Sequence, residues 1–511
     1  MRKIFLPICF FFSTCLFAQK KAPSRLNDIN FSGEKIRTSS EEALYENIEK
    51  LKQDPALEHA SWGLCVVSTK TAEVIAEYNS NVSLVPASTL KILTTGAALG
   101  ILDTSFKYET KIEYDGLLDT ITGILRGNLY IKGSGDPTLE SEYFKSNQGI
   151  IGRWVQAIKQ KGIRKIEGAV VADASVFEDE IIPSTWIWGD MGNYYGAGAC
   201  GINYADNKYK ILFKSGMKSG DPTSIIKTDP EIPGLKLTNY VITGGNDDNA
   251  FVYGAPYSYD RSVSGTIPEG KSNYEVEGSV PDPAWFCAYS LEKELKKNEI
   301  EVKLPCTTIR ELNLSSGQTG LKNEMKNNGR KTIYQSNSPT LDSIVYYTNL
   351  KSNNLYAEHL LKTIAYKKTG FGTEESGIER VKNYWSSKGI DIKGLHMTDG
   401  CGLSRANIVT TRQQAEILRI ITKAPYYKAF YNSLPVAGES GSLASMCKGT
   451  CAENNLSAKS GYINRARGYV GYVVNKKGEQ LAFSILANNY ECSPNEMKKK
   501  LEKLMVLIAE L

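Results

Sequence analysis

Ser88 and Lys91 stand three residues apart where the chain passes from Pro86-Ala87 into the apolar run Ile92 to Leu102. Proline is excluded from helix interiors, and after it the spacing of Leu90, Leu93, Ala97 and Leu102 is helical, so the stretch reads as a helix start. Residues three apart share a helix face, which brings the serine hydroxyl within reach of the lysine amine. A hydroxyl attacks a carbonyl only if something takes its proton. A lysine desolvated in an apolar site loses basicity and can take that proton near neutral pH, while the helix N-terminus favours a developing oxyanion. Taken alone, Ser88 reads first as an ordinary helix N-cap, and Ser215-Gly216-Met217-Lys218 repeats the spacing, so the pair needs context.

Two further stretches supply it. Lys351-Ser352-Asn353-Asn354 is a short polar break between the helically spaced Leu341, Ile344, Val345 and Leu355, Leu360, Leu361, Ile364. Such a break projects side chains into a cleft or serves as a plain capped loop. Near the C-terminus, Lys459-Ser460-Gly461 follows the apolar Leu456 and precedes a strand. A lysine fixed at a sheet edge can hold a substrate carboxylate, and Gly461 would let a substrate backbone lie close. Lys214-Ser215-Gly216 and Lys218-Ser219-Gly220 repeat this triplet amid turn residues, without that setting.

The elements that must position these groups lie at the two ends of the chain. A helix carrying Leu44, Ile48 and Leu51 behind Ser39 or Ser40 precedes strands at Trp62 to Ser68 and Val74 to Tyr78. Strands at Tyr469 to Val474 and Leu481 to Leu486, then a helix with Met497, Leu501, Leu504 and Ile508, complete the other end. Together they can close one antiparallel sheet covered by terminal helices. Between Lys107 and Leu321 the texture changes to short strands broken by turns such as Gly244-Gly245-Asn246 and Pro281-Asp282-Pro283. This predicts an α+β fold made of residues 39–106 and 322–511, with a mainly β region of two small domains inserted at 107–321.

Composition narrows the chemistry. Residues 1–18 read as a secretory signal: Met1-Arg2-Lys3, an apolar core to Phe17, and cleavage expected near Ala18. The net charge of +5 over 511 residues is small and scattered, which argues against a nucleic-acid partner. Ten cysteines occur, Cys9 and Cys15 of them in the leader. A Cys447–Cys451 bridge and mostly buried free thiols are equally open. The 3 histidines, His59, His359 and His396, form no metal-ligand spacing and no triad motif, so no metal or other cofactor is expected. Their scarcity moves the base role towards lysine.

The ordered set Ser88-x-x-Lys91, Ser352-x-Asn354 and Lys459-Ser460-Gly461 resembles the three motifs of penicillin-binding proteins and serine β-lactamases. The flanking Gly135-Asp136-Pro137-Thr138-Leu139, Asp399-Gly400-Cys401-Gly402-Leu403-Ser404-Arg405 and Leu434-Pro435-Val436-Ala437-Gly438 are similar to the type-4, low-molecular-mass D-alanyl-D-alanine carboxypeptidase/endopeptidase group. The resemblance covers nearly the whole mature chain and includes the long insertion.

It implies a penicillin-binding transpeptidase-like fold and hydrolysis of D-Ala-D-Ala bonds in peptidoglycan stem peptides, with β-lactams as covalent inhibitors. Ser88 would be the nucleophile, Lys91 its base, and Ser352 a proton relay. Asn354 would bond the substrate amide, Lys459 and Ser460 the terminal carboxylate, and the backbone N–H groups of Ser88 and Tyr462 the oxyanion. Asp190, in Trp188-Gly189-Asp190-Met191, with Tyr195 and Arg405 would form a pocket for a zwitterionic stem side chain such as meso-diaminopimelate. Ser460, Tyr462 and Cys401 depart from the residues usual at their positions. Export to the periplasm follows from the leader, and peripheral membrane attachment and a homodimer are compatible with the sequence. A β-lactamase or esterase on the same fold, and a non-catalytic wall-binding scaffold, are the other readings.

Overall fold

The residues described by the computed structural model are 38–315 and 329–511; the expected leader at 1–18 and the expected boundary at 321/322 lie outside them. Helix α1 (Ser39–Lys52) buries Leu44, Ile48 and Leu51. Strands β1 (Ser61–Ser68) and β2 (Val74–Tyr78) follow, then a 3-10 turn, Ala87–Leu90, leads into α2 (Lys91–Leu102). In the second half come α3 (Leu341–Leu350), α4 (Asn354–Thr369), α5 (Glu374–Ser387) and α6 (Thr411–Ile421). The chain ends with β3 (Ser457–Ile463), β4 (Ala466–Val474), β5 (Gln480–Asn488) and α7 (Pro494–Ala509).

The five strands form one antiparallel sheet in the order β2-β1-β5-β4-β3. β1 is buried along all but its first residue, as a central strand covered on both faces must be. Leu64 and Val66 belong to a core with α1 and α7, whereas Cys65 and Val67 belong to a core with α2, α3, α4 and α6. Period-two alternation thus divides the strand between two helical layers. The sequence reading of a terminal-helix-covered antiparallel sheet holds, and β3 is its edge.

Two local expectations change. Ala87 has φ +47°, a left-handed value costly for a residue with a Cβ, so the chain enters α2 through the tighter turn rather than from an N-cap at Ser88. Lys459-Ser460-Gly461 lies inside β3 rather than ahead of it.

From Glu109 to Thr308 several small sheets occur, and one of them, running Thr307–Thr308, Val170–Asp173, Leu129–Lys132 and Glu109–Tyr114, is completed from outside that range by Lys331–Asn337. Helices Ile150–Gln160 and Pro283–Lys297 pack with this part, and the sequence reading did not single them out. At the second, Pro281-Asp282-Pro283 is a helix start rather than a plain turn. Asp282 Oδ1 accepts the Trp285 N–H at 2.9 Å, and Pro283 occupies a first-turn position where no N–H is needed. One apolar cluster joins Ile112, Leu129, Trp154 and Leu291, and another joins Tyr209, Phe213, Val241 and Val263.

Among the described residues all eight cysteines are free thiols, so Cys447 and Cys451 are unbridged. No described helix is long and apolar enough to cross a membrane.

Candidate active site

Lys91 is the first residue of α2 and is fully buried. Its Nζ donates to Ser88 Oγ at 3.0 Å, Asn354 Oδ1 at 2.7 Å and the Cys401 carbonyl at 2.8 Å. Three acceptors use the three ammonium hydrogens. Desolvation holds the amine below the ordinary lysine range, with the Cys401, Asp399 and Glu358 groups pulling the other way. When the amine is neutral, two N–H bonds to Asn354 and Cys401 leave its lone pair facing the Ser88 hydroxyl.

Asn354 opens α4, whose N-cap Asn353 accepts the Tyr356 N–H at 3.1 Å. Just before it Ser352 has φ +56°, which turns the chain sharply between α3 and α4. Lys459 Nζ donates to Ser352 Oγ at 2.9 Å and to the Ser460 carbonyl at 2.8 Å. Lys459 is fully buried too, and burial, then the nearby Lys91, brings its amine well below the ordinary range. Two desolvated amines this close disfavour a charge on both.

A Cβ built at Gly461 would stand 2.6 Å from the Pro86 carbonyl and 2.9 Å from the Thr89 N, so the missing side chain admits the nucleophile turn. Lys459 differs from the expectation: its ammonium points to Ser352, and the half-buried Ser460, bonded to Ser442 Oγ at 2.6 Å, presents the hydroxyl.

A cleft of about 1000 Å³ is lined by Ser88, Ser352, Asn354 and Tyr462 together with Asp190, Tyr195 and Arg405. The Tyr195 hydroxyl donates to Asp190 Oδ1 at 3.3 Å. Desolvation pushes the Asp190 carboxyl up, while the Tyr195 hydroxyl and the Arg405 charge oppose it. Arg405 Nη1 donates to the Asn464 carbonyl at 3.2 Å. All the residues named for the site from sequence therefore gather around this cleft or beneath it.

Sequence reasoning took Arg405 from the segment Asp399 to Arg405 but gave no role to Asp399 or to the backbone of this loop. The buried Asp399 accepts from Gly402 N at 2.7 Å, Ser404 N at 2.7 Å, Asn407 Nδ2 at 2.8 Å and Trp186 Nε1 at 3.0 Å. Glu358, one turn beyond Asn354, takes the Gly400 N–H on both oxygens, at 2.9 and 3.0 Å. Thr94 Oγ1 donates to the Gly400 carbonyl at 2.7 Å. Glu358, Asp399 and Cys401 bring ligand-type atoms within 4.8 Å of one another, yet these carboxylates are occupied by the loop's own donors. His359 is buried with Nδ1 2.9 Å from the Gly135 carbonyl, and desolvation lowers its pKa to about 3, so it stays neutral.

A serine, a desolvated lysine at its side and a second lysine behind a helix-break serine, all between a helical layer and an edge strand, define an active-site-serine acyl-transfer enzyme. The family model described as D-Ala-D-Ala carboxypeptidase 3 (S13) matches residues 44–511. The chain belongs to this family of serine peptidases. A D-alanyl-D-alanine carboxypeptidase of Actinomadura sp. (strain R39) is 29% identical over 462 residues, 88% of this chain and 81% of that one. D-alanyl-D-alanine carboxypeptidase DacB of Haemophilus influenzae is 24% identical over 453 residues, 87% of this chain and 88% of its own length. The crystal structure of penicillin binding protein 4 (dacB) from Haemophilus influenzae superposes with a TM-score of 0.75 at 22% identity, covering 91% of this chain and all of that one. The same protein complexed with a β-lactam gives 0.71 at 22% identity, over 90% of this chain and 98% of that one. The α+β fold is that of these penicillin-binding proteins.

Proposed function

We propose that the protein hydrolyses D-Ala-D-Ala bonds of peptidoglycan stem peptides through an ester on Ser88, and that β-lactams acylate the same oxygen. One observation carries the reading: the Lys91 amine, 3.0 Å from Ser88 Oγ, has its other two directions taken by Asn354 and Cys401. The neutral amine takes the hydroxyl proton as Oγ bonds to the substrate carbonyl carbon. The oxyanion faces the backbone N–H groups of Ser88 and Tyr462. The C–N bond then breaks, the leaving amine takes a proton from the Ser352 hydroxyl, Lys459 restores it, and the proton that Lys91 took from Ser88 is handed on to Lys459, so both amines regain their starting states. Water attacks the ester with Lys91 again as base, releasing the shortened peptide. Asn354 holds the substrate amide, and the Ser460 hydroxyl backed by the Lys459 charge holds the terminal carboxylate.

The carboxylate of Asp190 and the guanidinium of Arg405 suit the ammonium and carboxylate of a zwitterionic stem side chain such as diaminopimelate. We read residues 107–321 as an inserted region of two small domains, which the two separate apolar clusters support. Export to the bacterial cell envelope, where such a substrate lies, completes the reading and is supported by the leader-like first residues.

Labelled penicillin tests it. The expected result is one covalent adduct on Ser88, absent in Ser88→Ala; unchanged labelling of that variant overturns the assignment. An adduct that disappears within seconds identifies a β-lactamase instead. Digestion of purified muropeptides followed by mass spectrometry then separates loss of terminal D-Ala from opening of cross-links.

A further inference from the structure

The segment Trp186 to Tyr195 offers Asp190 and Tyr195 to the cleft, but its inner contacts go elsewhere. The Tyr195 carbonyl accepts from Asn354 Nδ2 at 2.8 Å. With its nitrogen held there, the Asn354 amide has one orientation left, and its Oδ1 must face Lys91 Nζ, 2.7 Å away. At the other end of the segment the buried Trp186 donates its Nε1–H to Asp399 Oδ2 at 3.0 Å. Asp399 in turn holds the Gly402 and Ser404 N–H groups, which fixes the loop whose Cys401 carbonyl is the second acceptor of Lys91. Arg405 lies on that same loop. Both fixed acceptors of the lysine are therefore anchored, one step back, to a single stretch of ten residues in the inserted region.

We propose that this stretch is a positioning element for the general base, in addition to any contact it makes with a substrate side chain. The inference rests on Lys91 being the base of the reaction. Its two anchors, the Trp186 indole and the Tyr195 carbonyl, touch no reacting atom; they set the direction of the Lys91 lone pair. Acylation of Ser88 then depends on them even for an acyl donor with no diaminopimelate-like group. The inserted region thereby contributes to the chemical step as well as to recognition.

The test uses the full-length protein and benzylpenicillin, which carries no such side chain. Trp186→Phe keeps an aromatic ring and removes the N–H donor. Gly196→Ala acts at the other end, because its added Cβ would stand 2.1 Å from the Asp190 carbonyl and must displace the backbone beside Tyr195. Each variant is expected to acylate about tenfold more slowly, the effect of losing one hydrogen bond in a charged network. The limb of the pH–rate profile that reports Lys91 should move, and the constant for initial non-covalent binding should not. A role in stability alone lowers the unfolding temperature and leaves the pH profile in place.

Wild-type acylation rate and pH profile in either folded variant overturn the inference, and so does a loss confined to initial binding. Failure of both variants to fold overturns it as well, since the stretch would then hold the fold rather than the base. Wild-type protein run alongside separates the two levels. No labelling there removes the reading of Ser88 itself, whereas labelling with unchanged variants removes only the positioning role.

Discussion

The floor of the cleft and its outer wall are built on opposite plans. On the floor, Lys91 and Lys459 are fully buried and each polar atom is matched at 2.7 to 3.0 Å by Ser88, Asn354, Ser352 or a carbonyl. On the wall, Asp190 feels the Arg405 charge without a direct hydrogen bond between them. The floor is preorganised, so its groups need little rearrangement when charge develops. The wall keeps its charges available because an incoming ligand must complete them. The closed network suits one reaction, and the open one suits a choice among substrates.

That contrast can be broken most severely from the floor. Lys91→Met removes the proton acceptor and should lower the rate of penicillin acylation about 10³-fold, the scale of a lost general base. Stopped-flow labelling measures it, and a loss below tenfold would assign the proton to another group. In the wild type, acylation should already be fast at pH values where an ordinary lysine is still protonated, since desolvation holds Lys91 low.

The wall should yield a smaller and more selective effect. Asp190→Ala is expected to reduce kcat/KM about tenfold or somewhat more for peptides bearing diaminopimelate, the size of one charge-assisted hydrogen bond. Bare D-Ala-D-Ala analogues should be nearly unaffected. Equal losses on both substrates would place Asp190 in the common machinery and erase the division.

The smallest effect concerns stability. Burial pushes the Glu358 carboxyl, under the floor, up to about 8. A group whose folded value is raised contributes stability that is present below its unfolded value and is lost as pH rises through the folded one. Between roughly pH 4.5, the ordinary carboxyl value, and pH 8 the wild type should therefore lose stability from this group. Glu358→Gln keeps an acceptor for the Gly400 N–H and removes the titration. The difference in unfolding temperature between pH 5 and pH 9 should narrow relative to wild type; an unchanged difference would mean that Glu358 is ionised throughout.

The sequence carried most of the floor because its groups are side chains in short motifs. Ser88, Lys91, Ser352, Asn354 and Lys459 each declare a chemistry at a fixed spacing, and the apolar spacing of the helices beside the first four is visible in the sequence. The frame behind them was much less legible. The Cys401 carbonyl and the Tyr195 carbonyl act through backbone atoms that every residue possesses, so no residue type marks them. Trp186 and Asp399 meet across more than 200 residues, a pairing that periodicity does not encode. Cys401, noticed as an unusual residue, serves Lys91 through its carbonyl while its side chain packs against Trp186 and Ala357. The helix at Ile150–Gln160 did carry a signal, with Ile150, Ile151, Trp154, Val155 and Ile158 on one face, and was hidden by the turn-rich text around it. Gly461 announced a close approach without saying that the nucleophile turn is what approaches it.

The sheet order has a consequence for how the molecule comes into being. β1, made near the start of the chain, hydrogen-bonds along its length to β5, from Ser61 opposite Asn488 to Ser68 opposite Leu481. Contacts so distant along the chain form late in folding, because a very long loop must close before they repay its lost entropy. Ser88 and Lys91 can acquire helical geometry locally, yet Lys459 reaches them only when the final strands have docked. A partly synthesised or partly folded chain thus carries a serine with no working cleft. The nucleophile is armed only when β3, β4 and β5 have been made and have docked, and proteolytic loss of those strands would disarm it without touching Ser88.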